Sequence, residues 1–97
     1  MLEVDGDGFL LDMSKWSTEI MYQLAELDGV SLTTEMVEYI FVARELYEEH
    51  QVVPPIREFA KYLGMDRKAQ PLYDAFKTGP MKRIAKYGGL PKPTGCV

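Results

Sequence analysis

Cys96 is the residue best suited to chemistry in this chain, since it is the only cysteine and the second-to-last residue. Pro91 and Pro93 precede it, and each proline fixes φ and removes a backbone donor, which disfavours a helix or a central strand. The pattern predicts a stiff, extended arm from Gly89 to Cys96 with a thiol near its tip. Such an arm reaches about 25 Å, at about 3.3–3.6 Å per residue.

A cysteine at this place allows two interpretations. Chain ends are commonly poorly ordered, so the thiol could have no function. The alternative is an accessible thiol that reacts as a thiolate, the form that attacks sulfur. Gly88 and Gly89 are expected to give the arm a flexible base. Lys92 is the nearest cationic side chain in sequence and could favour ionisation of the thiol.

No metal site and no cofactor are expected from the residues. His50 has no second histidine or cysteine at the spacing that metal ligands require. Asp5-Gly6-Asp7-Gly8 resembles the start of a calcium loop, but the twelfth position of that loop is Trp16 where a glutamate is needed. The sequence also has no phosphate-binding glycine loop.

Length and composition indicate one globular domain that folds alone. The chain has 97 residues, of which 46% are hydrophobic and 27% charged, as in ordinary globular proteins. No apolar run approaches the roughly 18 residues of a membrane span, and the N-terminus lacks the regions of a signal peptide. One cysteine cannot form an internal disulfide. We expect a cytoplasmic monomer without membrane contact.

The net charge of −4 hides an asymmetry between the two halves of the chain. Residues 1–55 hold two basic and twelve acidic side chains, whereas residues 56–97 hold nine basic and three acidic ones. Basic residues concentrate just before the arm, at Lys82, Arg83 and Lys86. This surface is either a solvated face or a docking site for an acidic partner protein or RNA.

Apolar residues recur at helical spacing in five segments bounded by cap, glycine or proline signals. Helices are predicted near 17–28, 34–49, 56–63, 69–76 and 80–87, the second being central. Asp-Gly pairs between short apolar runs predict a hairpin. The predicted fold class is mainly α, a small orthogonal bundle of about five helices with a short N-terminal β-hairpin and an extended C-terminal arm. A single domain spans 1–97, with the hairpin at 1–12, the bundle at 13–87 and a mobile thiol arm at 88–97.

The arm carries a family resemblance. The run Gly-Leu-Pro-Lys-Pro-Thr-Gly-Cys-Val, residues 89–97, resembles the C-terminal arm of the DsrC/TusE/DvsC family, the gamma subunits of dissimilatory sulfite reductase and the related sulfur-relay proteins. Asp7-Gly8-Phe9-Leu10, followed by Trp16, is similar to the start of these proteins. The Pro-x-x-Arg pattern at 54–57 and Leu72-Tyr73 with Phe76 extend the match over nearly the whole chain.

The resemblance implies a sulfur carrier. In this interpretation Cys96 holds sulfane sulfur as a persulfide, and the arm of Gly89, Leu90, Pro91, Lys92, Pro93, Thr94 and Gly95 delivers it. The implied partners are a sulfur-donor protein and an acceptor enzyme, either sulfite reductase or the machinery of tRNA thiolation, with any RNA contact made through the partner. The activity would be of the sulfurtransferase type, exercised together with partner enzymes.

Four departures from the family pattern matter. The usual strand before the first match and the longer loop around residues 65–68 are missing, and Lys77 stands where proline is usual. Sulfite-reductase-type members carry a second cysteine at the position of Ala85, so the resemblance favours a single-cysteine relay or regulatory member. Ala85→Cys is predicted to crosslink with Cys96, provided that Ala85 is not sealed in the core.

A non-enzymatic regulatory module is the alternative function. Residues 48–63 could form a helix–turn–helix that binds DNA. Glu58 lies between Arg57 and Lys61 on the candidate recognition helix, and the protein is acidic, whereas DNA binding requires substantial phosphate neutralisation.

Overall fold

The computed structural model describes residues 3–66, 68–77 and 79–93. A 3-10 turn at Met13–Lys15 precedes the five helices that these residues form. The helices are α1 (Thr18–Leu27), α2 (Thr34–His50), α3 (Ile56–Tyr62), α4 (Gln70–Phe76) and α5 (Pro80–Tyr87). The mainly helical class and the five predicted helices are therefore confirmed.

Local signals explain where α1 and α2 begin. The Ser17 hydroxyl accepts from the Ile20 amide, and the Thr33 hydroxyl accepts from the Met36 amide, both at 3.2 Å. Each side chain thus satisfies one of the amides that a helix start leaves unpaired. Because a cap acts within four residues, both starts could be predicted from the sequence.

The N-terminal β-hairpin is not confirmed. The described residues contain no β-strand, only an isolated antiparallel bridge between Val4 and Leu10. The Asp5 carboxylate accepts from the amides of Asp7 at 2.8 Å and Phe9 at 3.0 Å. The Asp5 side chain therefore takes the Phe9 amide, which a longer ladder would have used, and residues 3–11 form a turn with one bridge.

Helix α5 lies at the centre of the bundle, where α2 was expected. It packs against α1, α2 and α4, and five of its eight residues are buried. These are Pro80, Met81, Ile84, Ala85 and Tyr87. Since α5 leads directly into the arm, the most buried helix of the protein carries the candidate site.

Some large apolar side chains on the helices are exposed. Leu27 is 65% exposed, and Phe41 and Tyr73 are near 40%. Helical spacing identifies the apolar stripe but not its edges, which the neighbouring helices decide. Among the described residues, no helix combines the length and apolarity needed to cross a membrane.

Candidate functional site

The structure places the first half of the predicted arm and leaves its tip undescribed. Gly89 to Pro93 lie within the described residues, whereas Thr94, Gly95 and the candidate catalytic Cys96 lie outside them. The site can therefore be built from the arm's origin. We call Gly88, Gly89 and Leu90 the arm base.

The arm base is packed rather than free, which differs from the flexible base expected from the two glycines. The amide of Leu90 donates to the carbonyl of Ala85 at 2.9 Å, and that of Gly89 donates to Lys86 at 3.3 Å. These two bonds form a Schellman turn, in which a left-handed residue follows the helix. Gly89 is that residue, with φ +68°. Leu90 then turns back into the core and is 2% exposed.

Two side chains from distant parts of the chain bind the arm base, and we call Trp16 and Arg44 the clamp. The Trp16 indole donates to the carbonyl of Tyr87 at 2.8 Å. The Arg44 guanidinium donates to the carbonyl of Gly88 and lies 3.7 Å from the centre of the Trp16 ring. A guanidinium over an indole face is a favourable cation–π contact. Burial lowers the pKa of Arg44, but an arginine remains charged.

Lys92 makes a second contact along the arm. Its ammonium forms an ion pair with Asp7 and lies 5.6 Å from the centre of the Phe9 ring. The hydrogen bond to Asp7 raises the pKa of Lys92. Asp7 thus balances the charge of Lys92 in this conformation. An influence of Lys92 on the thiol stays a prediction, because Cys96 lies outside the described residues.

Two open hollows flank the arm where it leaves the domain. One has a volume of about 330 Å³ and the other about 210 Å³. Tyr47 and Gln51 line both of them, so the C-terminal end of α2 borders the arm on each side. Glu48 lines the larger hollow. The larger hollow thus holds one acidic side chain, Glu48, beside the cationic Arg44 of the clamp.

The three basic residues proposed for docking differ in how exposed their side chains are and in whether they are already paired. Lys82 is exposed and Arg83 half-buried, with Arg83 donating to the Tyr87 hydroxyl at 3.1 Å. Lys86 forms an ion pair with Asp28 at 2.9 Å, and its side chain is only 14% exposed. The structure therefore leaves Lys82 as the accessible cation of this set.

Asp28 joins the end of α1 to α5. Its carboxylate accepts from the Tyr87 hydroxyl at 2.9 Å and from Lys86 at 3.0 Å. Burial raises the pKa of Asp28, but these two hydrogen bonds outweigh it and hold the pKa below its ordinary value. Burial and the bond to Asp28 raise the pKa of Tyr87 to about 12. This network fixes the helix that ends at the arm base.

Ala85, the position of the missing second cysteine, is sealed in the core at 0% exposure. Its carbonyl accepts from Leu90, so the Schellman turn covers it. The condition set for a crosslink between Ala85→Cys and Cys96 is not met in this conformation. A thiol at position 85 would need α5 and the arm base to separate before it could reach Cys96.

Sequence reasoning missed Asp7, Trp16 and Arg44 as parts of the site. Trp16 counted only as part of the family match, and Arg44 lies among the apolar residues that recur at helical spacing in α2. An arginine inside an apolar helical stripe is the signal that could have identified it, since a buried cation needs a partner. The sequence does not show that its partner is a carbonyl 44 residues further along the chain.

Comparisons with known proteins agree with this architecture. The family profile described as DsrC like protein matches residues 1–97. A Haemophilus influenzae protein described as a sulfurtransferase TusE homolog is 35% identical, over 99% of this chain and 93% of that protein. The dissimilatory-type sulfite reductase subunit gamma of Nitratidesulfovibrio vulgaris is 36% identical, over 98% of this chain and 90% of that subunit.

A solved structure is similar over the same range. The NMR structure of Allochromatium vinosum DsrC superposes with a TM-score of 0.85 and 37% identity, covering 99% of this chain and 90% of that one. The helical bundle, the arm base and the whole length of the sequence are thus accounted for by a single family. The chain belongs to the DsrC family.

Proposed function

We propose that this protein is a cytoplasmic sulfur carrier that accepts sulfane sulfur on Cys96 and delivers it to a partner enzyme. The observation that carries the proposal is the arm base. A proline-containing segment that leads to the only cysteine starts from a buried, hydrogen-bonded turn. Relatives described as sulfurtransferase TusE and as a sulfite reductase gamma subunit support the same chemistry.

The proposed chemistry consists of two thiolate displacements. The Cys96 thiolate attacks the outer sulfur of a donor persulfide R–S–SH, the S–S bond breaks, and R–S⁻ leaves, which gives Cys96–S–SH. An acceptor nucleophile then attacks the outer sulfur and releases the Cys96 thiolate. No net oxidation occurs in either step. An ordinary cysteine has a pKa of about 8.5, so we assign activation of the thiol to the partner's active site.

The proposed arm begins later than the sequence indicated. Gly88 to Leu90 pack with the bundle, so we take Pro91 to Cys96 as the working arm and residues 3–90 as its support. Alanine at position 85 favours a single-cysteine relay rather than a member that releases product through an internal crosslink. Donor and acceptor are, respectively, a persulfide-bearing protein and an enzyme that uses the sulfur.

Intact-mass spectrometry after incubation with a persulfide-bearing cysteine desulfurase tests the proposal. We expect a gain of one sulfur atom, reversed by a thiol reductant, because only a persulfide is both added and removed in this way. Cys96→Ser is the control and should gain nothing. Loaded protein should also yield thiocyanate with cyanide, which identifies the added atom as sulfane sulfur. Wild-type protein that stays unmodified would contradict the proposal.

A further inference from the structure

The two clamp residues donate hydrogen bonds to carbonyl groups at the end of α5 that accept none from backbone amides. The last four carbonyls of a helix have no partner within it. At the end of α5, Ile84, Ala85 and Lys86 accept from the amides of Gly88, Leu90 and Gly89, respectively. The fourth carbonyl accepts from Trp16, and the next one along the chain accepts from Arg44. Every carbonyl from residue 84 to 88 therefore has a donor.

The clamp bonds add something that a helix end does not ordinarily need. A Schellman turn already ends a helix, and its remaining carbonyls can be satisfied by water. Here two side chains hold two consecutive peptide planes, at Tyr87 and Gly88. Those planes set the direction in which the chain continues beyond the turn, because each residue has only two soft dihedrals.

Close packing makes the clamp and the arm base one unit. A Cβ on Gly89 would lie 2.5 Å from Cδ1 of Trp16, so the indole occupies the space beside the turn. The Arg44 guanidinium stacks over the same indole, 3.7 Å from the ring centroid. Phe41 meets the Trp16 ring edge-on, with centroids 5.8 Å apart. The indole is therefore fixed by contacts besides its hydrogen bond.

We propose that Trp16 and Arg44 are positioning residues of the sulfur carrier, which fix the direction in which the thiol arm leaves the domain. The inference rests on the proposed function of Cys96. A tether with a fixed origin and direction confines the group at its tip to a smaller volume and raises its effective concentration at a docked partner. A tether of the length from Pro91 to Cys96 can reach at most about 20 Å, at about 3.3–3.6 Å per residue.

The test uses Cys96 itself as the attachment point, since no other cysteine competes for a label. The full chain is labelled there with a nitroxide, and line broadening is measured for every backbone amide by NMR. In the wild-type protein we expect broadening on one side of the domain, around Asp7, Phe9 and the end of α2 at 47–53. Trp16→Phe, which keeps a ring but loses the donor, and Arg44→Met should lose this preference and spread the broadening to other faces.

Matched variants separate direction from stability. Tyr39→Phe removes one polar group from an aromatic ring that packs on α4, and Arg57→Met removes a guanidinium from an exposed position on α3. Both should keep the wild-type broadening pattern. Arg44→Lys keeps the charge but not the flat stacked group, so it provides a milder change if Arg44→Met unfolds, and it should give a partial spread.

Two outcomes would overturn the proposal. One is wild-type broadening on all faces of the domain, and the other is a wild-type pattern in folded Trp16→Phe and Arg44 variants. Mass spectrometry of unlabelled wild-type protein treated with the desulfurase tests the proposed function separately. If the wild-type protein gains sulfur but the clamp variants do not change the broadening, only the positioning role is rejected. Directed broadening in a protein that never loads rejects only the carrier function.

Discussion

Gly89 is the residue at which the helical bundle becomes the arm, and two separate constraints act on it. Its φ of +68° lies in the left-handed region, which favours glycine. Trp16 occupies the place that a Cβ would need. Gly29 ends α1 with the same two Schellman bonds and a φ of +70°, but no atom lies within 4 Å of its Cβ position. Gly29 is therefore a matched reference.

Gly89→Ala should destabilise the protein more than Gly29→Ala. The left-handed conformation costs about 1–2 kcal/mol for alanine at either position. At Gly89 alone the added methyl group must also displace Trp16. Overpacking of this kind costs about 1–3 kcal/mol more. The two changes affect the unfolded chain alike, so the difference in unfolding free energy in urea isolates the Trp16 contact. Equal losses would show that this contact does not constrain the arm base.

The sequence predicts a residue's role where the cause is local. The serine and threonine caps and the glycines that end α1 and α3 act within a few residues, and the helices they bound were predicted correctly. The role of Gly88 and Gly89 was not, because its cause lies elsewhere. A glycine makes the backbone flexible when nothing packs against it. When an indole packs against it, the missing side chain instead allows close contact, and the backbone is fixed. That indole is 71 residues away from Tyr87, the residue that precedes these two glycines.

Helix α5 is the element that carries the site, and Asp28 ties it to the end of α1. Tyr87 is buried, with its hydroxyl donating to Asp28, so ionisation of this tyrosine is resisted in the folded state. Its pKa of about 12 lies above the ordinary value of 10.0. A folded pKa that is raised contributes stability that is complete below the unfolded pKa and is lost as pH rises through the folded pKa.

Tyr87→Phe should therefore flatten the stability profile between about pH 10 and pH 12. At neutral pH the variant should be less stable by about 1.5–3 kcal/mol, the usual cost of a hydrogen bond to a charged group. Urea unfolding at stepped pH measures both effects. The reference is Tyr22→Phe, at an exposed position on α1, which should change neither. A profile for Tyr87→Phe parallel to that of the wild type would refute the assignment.

At the level of elements, the helices were predictable and the N-terminal turn was not. Each helix has its own periodicity and caps, whereas a hairpin requires a pairing that competes with other partners for the same amides. The Asp5 carboxylate accepts from the amides of Asp7 and Phe9 and so competes with that pairing. The helix at the centre of the bundle was also predicted wrongly. The length of α2 suggested the core position, but the shorter α5 has neighbours on three sides.

Over the whole molecule, the charge asymmetry of the sequence does not translate into a uniformly basic surface around the arm. Lys86 and Lys92 pair with Asp28 and Asp7, respectively. Glu48 borders the arm base. Lys82 remains as the exposed cation at the start of α5. Docking through the basic half of the chain stays a prediction, and the structure narrows its test to one side chain.

Lys82→Glu should slow sulfur loading from a protein donor and reduce its dependence on salt. Exposed charges act mainly on association rates and are screened beyond about 8–10 Å at physiological salt. Arg83 is left unchanged because it donates to Tyr87. Lys61→Glu, an equal reversal on α3, should have little effect, and loading from inorganic polysulfide should be the same for all three proteins. If the rate of loading from the protein donor depended neither on Lys82 nor on salt, the basic surface would be a solvated face without a docking role.

Trp16 is the only tryptophan of the chain, and it lies against the turn from which the arm leaves. An indole whose N–H is bound to Tyr87 and whose face is covered by Arg44 has an emission that depends on both contacts. The protein therefore carries an optical reporter of its own at the root of the arm. Any separation of the arm base from the bundle breaks these contacts, so the colour and intensity of that single emitter follow such an event without any added dye.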